Sequence, residues 1–511
     1  MEKLSIDNLP SDASALRSLL QQALLALDQK DFALHLAQHE IARLNELVKL
    51  FKRQKYGPSS EQYVGEPCLF NEPEVAVQDK AVITKIKSHE RKRPKRRPLP
   101  ANLPRVDHVY EVACVDRICE CCSKPMIEIG EEVSEQLDIV PAKIQVLRHR
   151  RKKYGCPSCK EGIKTAKLPA QPLPKTNASP GLLAFAATAK YVDGLPLYRQ
   201  EEIFRRLGID MSRATLSRWM IDLAELLRPL YNSLREDLLS GPVVLMDETT
   251  VQVLSGTGKK PTANSFMWVQ CRYGPKEKIV LFHYDPTRSA SVAAKLLADF
   301  SGFLVTDGYK AYAAVARTKD ELVHCGCWDH ARRRFNDALK SLGDSQEPSL
   351  CAAGLTFIQN LYRVEARIKD LDKDRRKVVR NLYSRAILNH LRRWLDRVIN
   401  TVPPKTLTGK ALSYLDKEWP QLLRFLEDGQ IPISNALAEN AIRPFAIGRK
   451  NWLFCQSRHG AEASAVLYSL IETAKANGLE PHEYLKTVIT ALPAAKTTDD
   501  IERLLPYNSK S

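Results

Sequence analysis

Val243-Val-Leu-Met-Asp247-Glu and Phe303-Leu-Val-Thr-Asp307-Gly-Tyr are two short apolar runs that each deliver a carboxylate at the carboxyl end. Each run has the length of a buried strand. Far downstream, Ser434-Asn-Ala-Leu-Ala-Glu439-Asn-Ala-Ile-Arg443-Pro carries a third carboxylate on a segment with helical spacing. Carboxylates gathered from separate elements cannot all stay ionised without a cation between them. Their hard oxygens suit Mg²⁺ or Mn²⁺, and two such ions about 3.5–4 Å apart serve phosphodiester chemistry by activating a nucleophile and stabilising the leaving oxygen.

Working outward from the first acid, the spacing predicts strands over 243–254, 265–273 and 278–284, a helix over 290–300, and a strand ending at Asp307. A further strand over 321–325 precedes Cys327-Trp-Asp-His330. The expected class is α/β. Between Asp307 and Glu439 lies far more chain than one strand and one helix need. The surplus, about 345–430, is charged, helical in pattern and carries Trp394 and Trp419, so it reads as an inserted helical subdomain.

The 511 residues exceed what one hydrophobic core usually supports, so several domains are expected. Lys and Arg number 77 against 60 Asp and Glu, a net charge of +17 that points to a polyanionic partner. The basic residues cluster in Lys92-Arg-Pro-Lys-Arg-Arg97 and Arg148-His-Arg-Arg151-Lys152-Lys153, which favours nucleic acid over an inert basic surface. No secretory leader or long apolar run is present, so a cytoplasmic location is expected and the cysteines are expected as thiols or metal ligands.

Leu20, Leu27, Leu34, Ile41 and Val48 form one seam of a heptad whose other seam is Leu16, Ala23, Lys30, Ala37, Leu44 and Phe51. This makes residues 1–57 a coiled-coil helix and the chain a homo-oligomer. A Pro-, Lys- and Arg-rich linker follows over 58–104. In the next module, 105–170, Cys119-Glu-Cys-Cys122 and Cys156-Pro-Ser-Cys159 are two knuckles at the spacing of a closed, structural Zn²⁺ site. Cys121 is an alternative ligand and Cys114 a spare, while residues 133–154 alternate like a small hairpin. Residues 180–235 read as a helix, a turn containing Gly208, and a helix capped by Ser212. That helix presents Arg213, Thr215, Ser217 and Arg218 in the manner of a helix-turn-helix contacting DNA.

Asn435, Glu439 and Arg443 stand four residues apart and share a helix face. Asn435 is a candidate for orienting metal-bound water, and Arg443 for holding a strand phosphate or neutralising Glu439. Pro444 is expected to disturb the helix, and Arg449 and Lys450 are candidates for gripping DNA backbone together with Arg151 and Lys152. Cys327 and His330 are read first as stabilising a helix start and secondly as metal ligands.

Four strings, Asp247-Glu-Thr, Thr306-Asp-Gly-Tyr, Gly326-Cys-Trp-Asp-His-Ala-Arg-Arg and Ala438-Glu-Asn-Ala-Ile-Arg-Pro-Phe-Ala-Ile-Gly-Arg-Lys-Asn-Trp-Leu-Phe454, resemble the bacterial transposases of the insertion-sequence sixty-six type. Phe51 to Glu61, the cysteine pairs and the closing Ile501-Glu-Arg-Leu-Leu-Pro-Tyr extend the likeness over nearly the whole chain. The resemblance implies a ribonuclease-H-like catalytic core, here 240–455, with Asp247, Asp307 and Glu439 as the catalytic, Mg²⁺-binding triad. Residues 456–511 would be the helical tail. It further implies cleavage and strand transfer at the ends of a mobile element, with double-stranded DNA as partner and small accessory proteins encoded alongside. A nuclease on the same fold, or a silent DNA-binding regulator derived from a transposase, are the alternatives.

Overall fold

The computed structural model describes residues 144–155 and 163–509, apart from 257, 259, 261, 262, 275, 276 and 343–348, together with Leu44, Val48, Arg105 and Asp107. The rest of the coiled-coil seam, the linker and Cys114, Cys119, Cys121, Cys122, Cys156 and Cys159 lie outside the described residues. The chain divides into two compact units, 60–168 and a second made of 1–59 with 169–511.

In the smaller unit, β1 (Lys153–Gly155) pairs antiparallel with β2 (Ile163–Thr165). Arg151 Nε donates to the Ala166 carbonyl at 2.6 Å across the hairpin, and Arg151 and Lys152 are both exposed. No strand is formed over 144–152, so this hairpin begins where the expected one ends.

The larger unit opens with α1 (Pro180–Tyr191), α2 (Leu197–Arg206), α3 (Arg213–Leu226) and α4 (Arg228–Leu239). Ser179 accepts from the Leu182 N–H and Ser212 from the Thr215 N–H, satisfying donors that a helix start leaves free. Leu216, Trp219, Met220 and Leu223 bury one face of α3, which leaves Arg213, Thr215, Ser217 and Arg218 exposed on the other.

A mixed sheet follows: β3 (Val243–Ser255), β4 (Asn264–Tyr273), β5 (Lys278–Asp285), α5 (Ala290–Leu296), β6 (Gly302–Val305), α6 (Lys310–Arg317) and β7 (Leu322–Cys325). Its order is β5-β4-β3-β6-β7, antiparallel through β5, β4 and β3 and parallel through β3, β6 and β7. The first four residues of β3 are buried, as a strand covered on both faces requires. Gly302 sits at φ +136°, where a Cβ would lie 2.5 Å from the Pro242 carbonyl oxygen. Only glycine lets β6 enter the sheet this close to β3.

Between the sheet and the third acid stand α7 (Trp328–Leu342), α8 (Leu350–Ile368), α9 (Lys373–Val379), α10 (Arg385–Val398), α11 (Leu407–Lys417) and α12 (Trp419–Leu423). Arg380, 1% exposed, ties this region together. It grips both oxygens of Glu365 at 2.9 and 2.7 Å and donates to the Phe425 and Asp428 carbonyls. The chain ends with α13 (Ala436–Trp452), β8 (Phe454–Ser457), α14 (Arg458–Ala476), α15 (Pro481–Ala491) and α16 (Thr498–Glu502). α13 runs on through Pro444 rather than breaking there. β8 adds itself parallel to the far end of β3.

α14 is buried on nearly every side, which suits its alanines and serines, and it covers the open edge of β5. Ser469 Oγ accepts from the Phe282 N–H at 2.8 Å, Thr473 Oγ1 from the Val280 N–H at 3.1 Å, and Asn477 Oδ1 from the Lys278 N–H at 3.4 Å. Thr473 and Asn477 also donate to the carbonyls of the same two strand residues. Four helical residues advance about 6 Å and two strand residues about 6.7 Å, so the side chains keep step with the edge.

Candidate active site

β3 and β6 are in parallel register with Leu245 opposite Val305, and each acid follows its residue by two positions. Asp247 and Asp307 therefore leave neighbouring strands, roughly 4.8 Å apart, at equivalent heights. Asp247 Oδ1 accepts from the Glu248 N–H at 2.8 Å, and Asp307 Oδ1 from the Tyr309 N–H at 3.0 Å. Burial, then the charge of Glu248 and those of Asp307 and Glu439, push the Asp247 carboxyl up to about 7 against one lowering hydrogen bond. All three expected acids thus share one electrostatic field.

Thr306, fully buried, fixes the backbone before Asp307. Its hydroxyl meets His324 Nε2 at 2.8 Å, and its N–H reaches the Cys325 carbonyl on β7. Burial pushes His324 down to about 4, so it props this turn as a neutral ring.

Glu439 lies in the first turn of α13. Its Oε2 accepts from Arg333 of α7 at 2.8 Å, and its Oε1 lies 3.5 Å from His330 Nδ1. Both of the latter atoms are buried without a hydrogen bond. The partner of Glu439 is thus Arg333, where Arg443 had been the candidate. Arg443 itself is exposed.

Asn435 has a role in the packing of the site. It is 1% exposed, donates through Nδ2 to the Met246 carbonyl at 2.8 Å, and its own N–H reaches Cys327 Sγ at 3.1 Å. It fastens the start of α13 to the residue before Asp247 and to the start of α7, while its Oδ1 is buried without a hydrogen bond. Cys327, His330 and Glu439 bring their ligand atoms within 4.8 Å of one another, the one such group among the described residues. Cys327 is fully buried and accepts from the His330 N–H too, so it does stabilise the helix start.

Glu248 points to the opposite face from Asp247, since strand side chains alternate. There Arg288 Nε donates to it at 2.6 Å and the Tyr312 hydroxyl also bonds it. The Arg288 guanidinium lies 3.8 Å over the Tyr309 ring, and the Tyr309 hydroxyl donates to the Arg288 carbonyl. This knot holds the turn after Asp307. Arg288, Tyr309 and Tyr312 were not legible as functional, because only the fold brings them to Glu248.

One guanidinium nitrogen of half-buried Arg449 donates to the Thr250 carbonyl and hydroxyl and to the Thr249 hydroxyl, clamping α13 onto β3. Lys450, Arg213 and Arg218 are exposed. The donor set fits a hard divalent cation. It consists of carboxylates, one raised to about 7 by burial and its acidic neighbours, with a Glu439 oxygen buried and without a hydrogen-bond partner.

A sheet that sets one acid within a strand and a second just past the end of its parallel neighbour, with a third on a packed helix, is a framework that can serve metal-dependent phosphodiester chemistry. The chain belongs to the IS66 transposase family, whose model matches residues 175–463. Models of the IS66 C-terminal element, of the zinc-finger binding domain of transposase IS66 and of the transposase C of IS166 homeodomain match residues 469–507, 116–160 and 43–107. Among curated relatives, the uncharacterised protein y4qI of Sinorhizobium fredii is 32% identical over 99% of both chains. A second uncharacterised protein of that organism, y4jD, is 35% identical over 81% of this chain and 82% of its own. The family brings DNA binding, an insertion sequence and a zinc-finger domain with it. No helix among the described residues is long and apolar enough to cross a membrane.

Proposed function

We propose that this chain binds the ends of a mobile element and both cuts and joins DNA strands there, with Asp247, Asp307 and Glu439 as the catalytic triad of a ribonuclease-H-like core over 240–455. The observation that carries this reading is the parallel register of β3 and β6, which sets Asp247 and Asp307 side by side within the field of Glu439. The three antiparallel strands followed by parallel β6 and β7 support the fold assignment.

Asp247, Asp307 and Glu439 would hold Mg²⁺ or Mn²⁺. When bound, the ions supply activation of the attacking oxygen and neutralisation of charge on the leaving one. The chain's own part is positioning. β3 and β6 fix two acids, and Asn435 fixes the helix bearing the third. Arg333 holds Glu439 by one oxygen. The attacking group is water for cutting and a freed 3′-hydroxyl for joining, so no covalent protein intermediate is needed.

Arg213 and Arg218 on exposed α3, with Arg443, Lys450, Arg151 and Lys152, are the proposed DNA contacts. Cys119, Cys122, Cys156 and Cys159 are the proposed zinc ligands, within the region matched by the zinc-finger model. Leu44 and Val48 are helical and about half exposed in the single chain, and a second copy pairing through 1–57 would cover them. The helical region of about 345–430 is taken as an insertion in the core, and 456–511 as the tail that packs on β5.

The test uses labelled element-end DNA with Mg²⁺, comparing wild type with Glu439→Gln. Wild type should release a 3′-hydroxyl end and join it to plasmid, while the variant binds DNA equally and does neither. Equal cutting and joining by the variant would overturn the assignment.

A further inference from the structure

The ladder by which α14 covers β5 stops one step short. Continuing the four-residue interval from Asn477, Thr473 and Ser469 leads to residue 465, and continuing the two-residue interval from Lys278, Val280 and Phe282 leads to Tyr284. Residue 465 is alanine and has no hydroxyl to offer. The register of β5 on β4 turns the Tyr284 N–H to the same outer edge as those of Val280 and Phe282, and no hydrogen bond to it is found among the described residues. At this gap lies a cavity of about 370 Å³ between α4, β5, α5 and the start of α14.

Four cations reach its wall: Arg228, Arg235, Lys295 and Arg458. Arg228 and Arg458 have exposed or half-exposed carboxylate partners at 2.8 Å, Glu225 and Glu462, and Arg235 meets exposed Asp299 at 3.4 Å. Such solvent-facing pairs are weak and exchange readily for a better anion. Lys295 has no ion pair among the described residues. Of the wall's acids, Asp285 is already turned onto the Thr287 N–H and hydroxyl at 2.7 and 2.8 Å. His283 adds an imidazole that burial holds neutral, with a pKa of about 4. Leu296, Val466 and the Tyr231 ring supply apolar wall.

We propose that this cavity is a second ligand site, separate from the three acids, that takes the phosphate of a nucleotide. The phosphate would accept from the Tyr284 N–H and from Lys295 and the guanidinium forks, with its sugar against the apolar wall. An open backbone N–H beside convergent cations is a recurrent anion cradle, and guanidinium groups match phosphate oxygens in pairs. The volume exceeds a bare phosphate and falls at the lower end of the range for small-ligand sites, about 300–1,000 Å³. The phosphate has two possible sources, a DNA strand running past the site or a free nucleotide.

The experiment uses the full chain with two probes, radiolabelled thymidine 5′-monophosphate in equilibrium dialysis and a short fluorescein-labelled duplex in anisotropy over a salt series. The variants are Lys295→Ala, which removes a cation, and Ala465→Ser, which extends the ladder to the Tyr284 N–H. Neither touches the catalytic acids. Each should weaken binding about tenfold, the scale of one lost charge-assisted contact. Ala465→Ser should do so without lowering the melting temperature, which separates loss of the site from loss of the fold. Weakened binding of the mononucleotide identifies a free nucleotide. Weakened duplex binding by both variants, with the salt slope reduced by about one in Lys295→Ala, identifies a strand phosphate. If both variants bind both probes as the wild type does, the proposal is overturned. Glu439→Gln should leave both probes bound, so failure here and failure of the proposed catalysis are read separately.

Discussion

Replacing Asn435 with alanine should disable the site from a distance. The amide is 1% exposed and donates at 2.8 Å to the carbonyl of Met246, directly before Asp247. Alanine leaves that carbonyl without its side-chain partner, at a cost of about 1–3 kcal/mol. Taking about 2 kcal/mol, the melting temperature should fall by on the order of 5 °C, which leaves the protein folded at assay temperature. The larger effect is geometric. Asn435 precedes Glu439 by one helical turn, and its N–H also meets Cys327 Sγ at 3.1 Å, so it sets where α13 begins. A displacement of a reacting group by about 1 Å costs about 10²-fold in rate. Strand cleavage by Asn435→Ala should therefore drop about 10²-fold at saturating DNA, with DNA affinity within twofold of wild type. The Mg²⁺ concentration needed for half-maximal rate should rise, since one acid is misplaced. A purely structural role would lower stability and leave the Mg²⁺ requirement unchanged. Wild-type cleavage with an unchanged Mg²⁺ requirement refutes the reasoning.

The Asp247 carboxyl, raised to about 7 by burial and its neighbouring acids, holds its proton far more firmly in the folded chain than in the unfolded one. Its ionisation therefore costs stability as pH rises from about 4 to 7, and the metal-free protein should melt progressively lower across that window. Protons should compete with the ion, so Mn²⁺ affinity followed by calorimetry should fall as pH drops below 7. An affinity flat from pH 5 to 8 would contradict the carboxylate field. Thr473→Val keeps shape but deprives the Val280 N–H and carbonyl of their helix partner, which should destabilise by about 2 kcal/mol in urea unfolding. A loss below about 0.5 kcal/mol would mean the β5 edge is satisfied otherwise. Arg380→Ala strands the Glu365 carboxylate and two carbonyls in the helical region, with an expected loss of about 3–5 kcal/mol seen in the same assay.

What could be read from the sequence divides along a physical line. β3, β4, β5, β6 and β7 stand within a few residues of their expected bounds, because apolar runs and turn residues are local signals. Asp247, which closes the apolar run that opens β3, and Asp307, two residues past β6, were legible for the same reason. Partnerships across elements were not. Spacing placed Asn435, Glu439 and Arg443 on one helix face, and from that face alone Arg443 is the natural neighbour of Glu439. The fold brings Arg333 from α7 to within 2.8 Å and leaves Arg443 exposed. Arg449 shows the same limit. A lone arginine in a basic run reads as a phosphate contact, yet β3 passes beneath it and supplies Thr249 and Thr250. The contrast lies in what each arginine meets. The Arg449 nitrogen that holds the Thr249 hydroxyl and the Thr250 carbonyl and hydroxyl cannot turn to DNA without loosening α13 from β3. Arg443 and Lys450, on the same helix and exposed, have no such restraint. If α13 touches DNA, Arg443→Ala and Lys450→Ala should weaken binding and its salt dependence, whereas Arg449→Ala should first cost the position of α13, and with it cleavage.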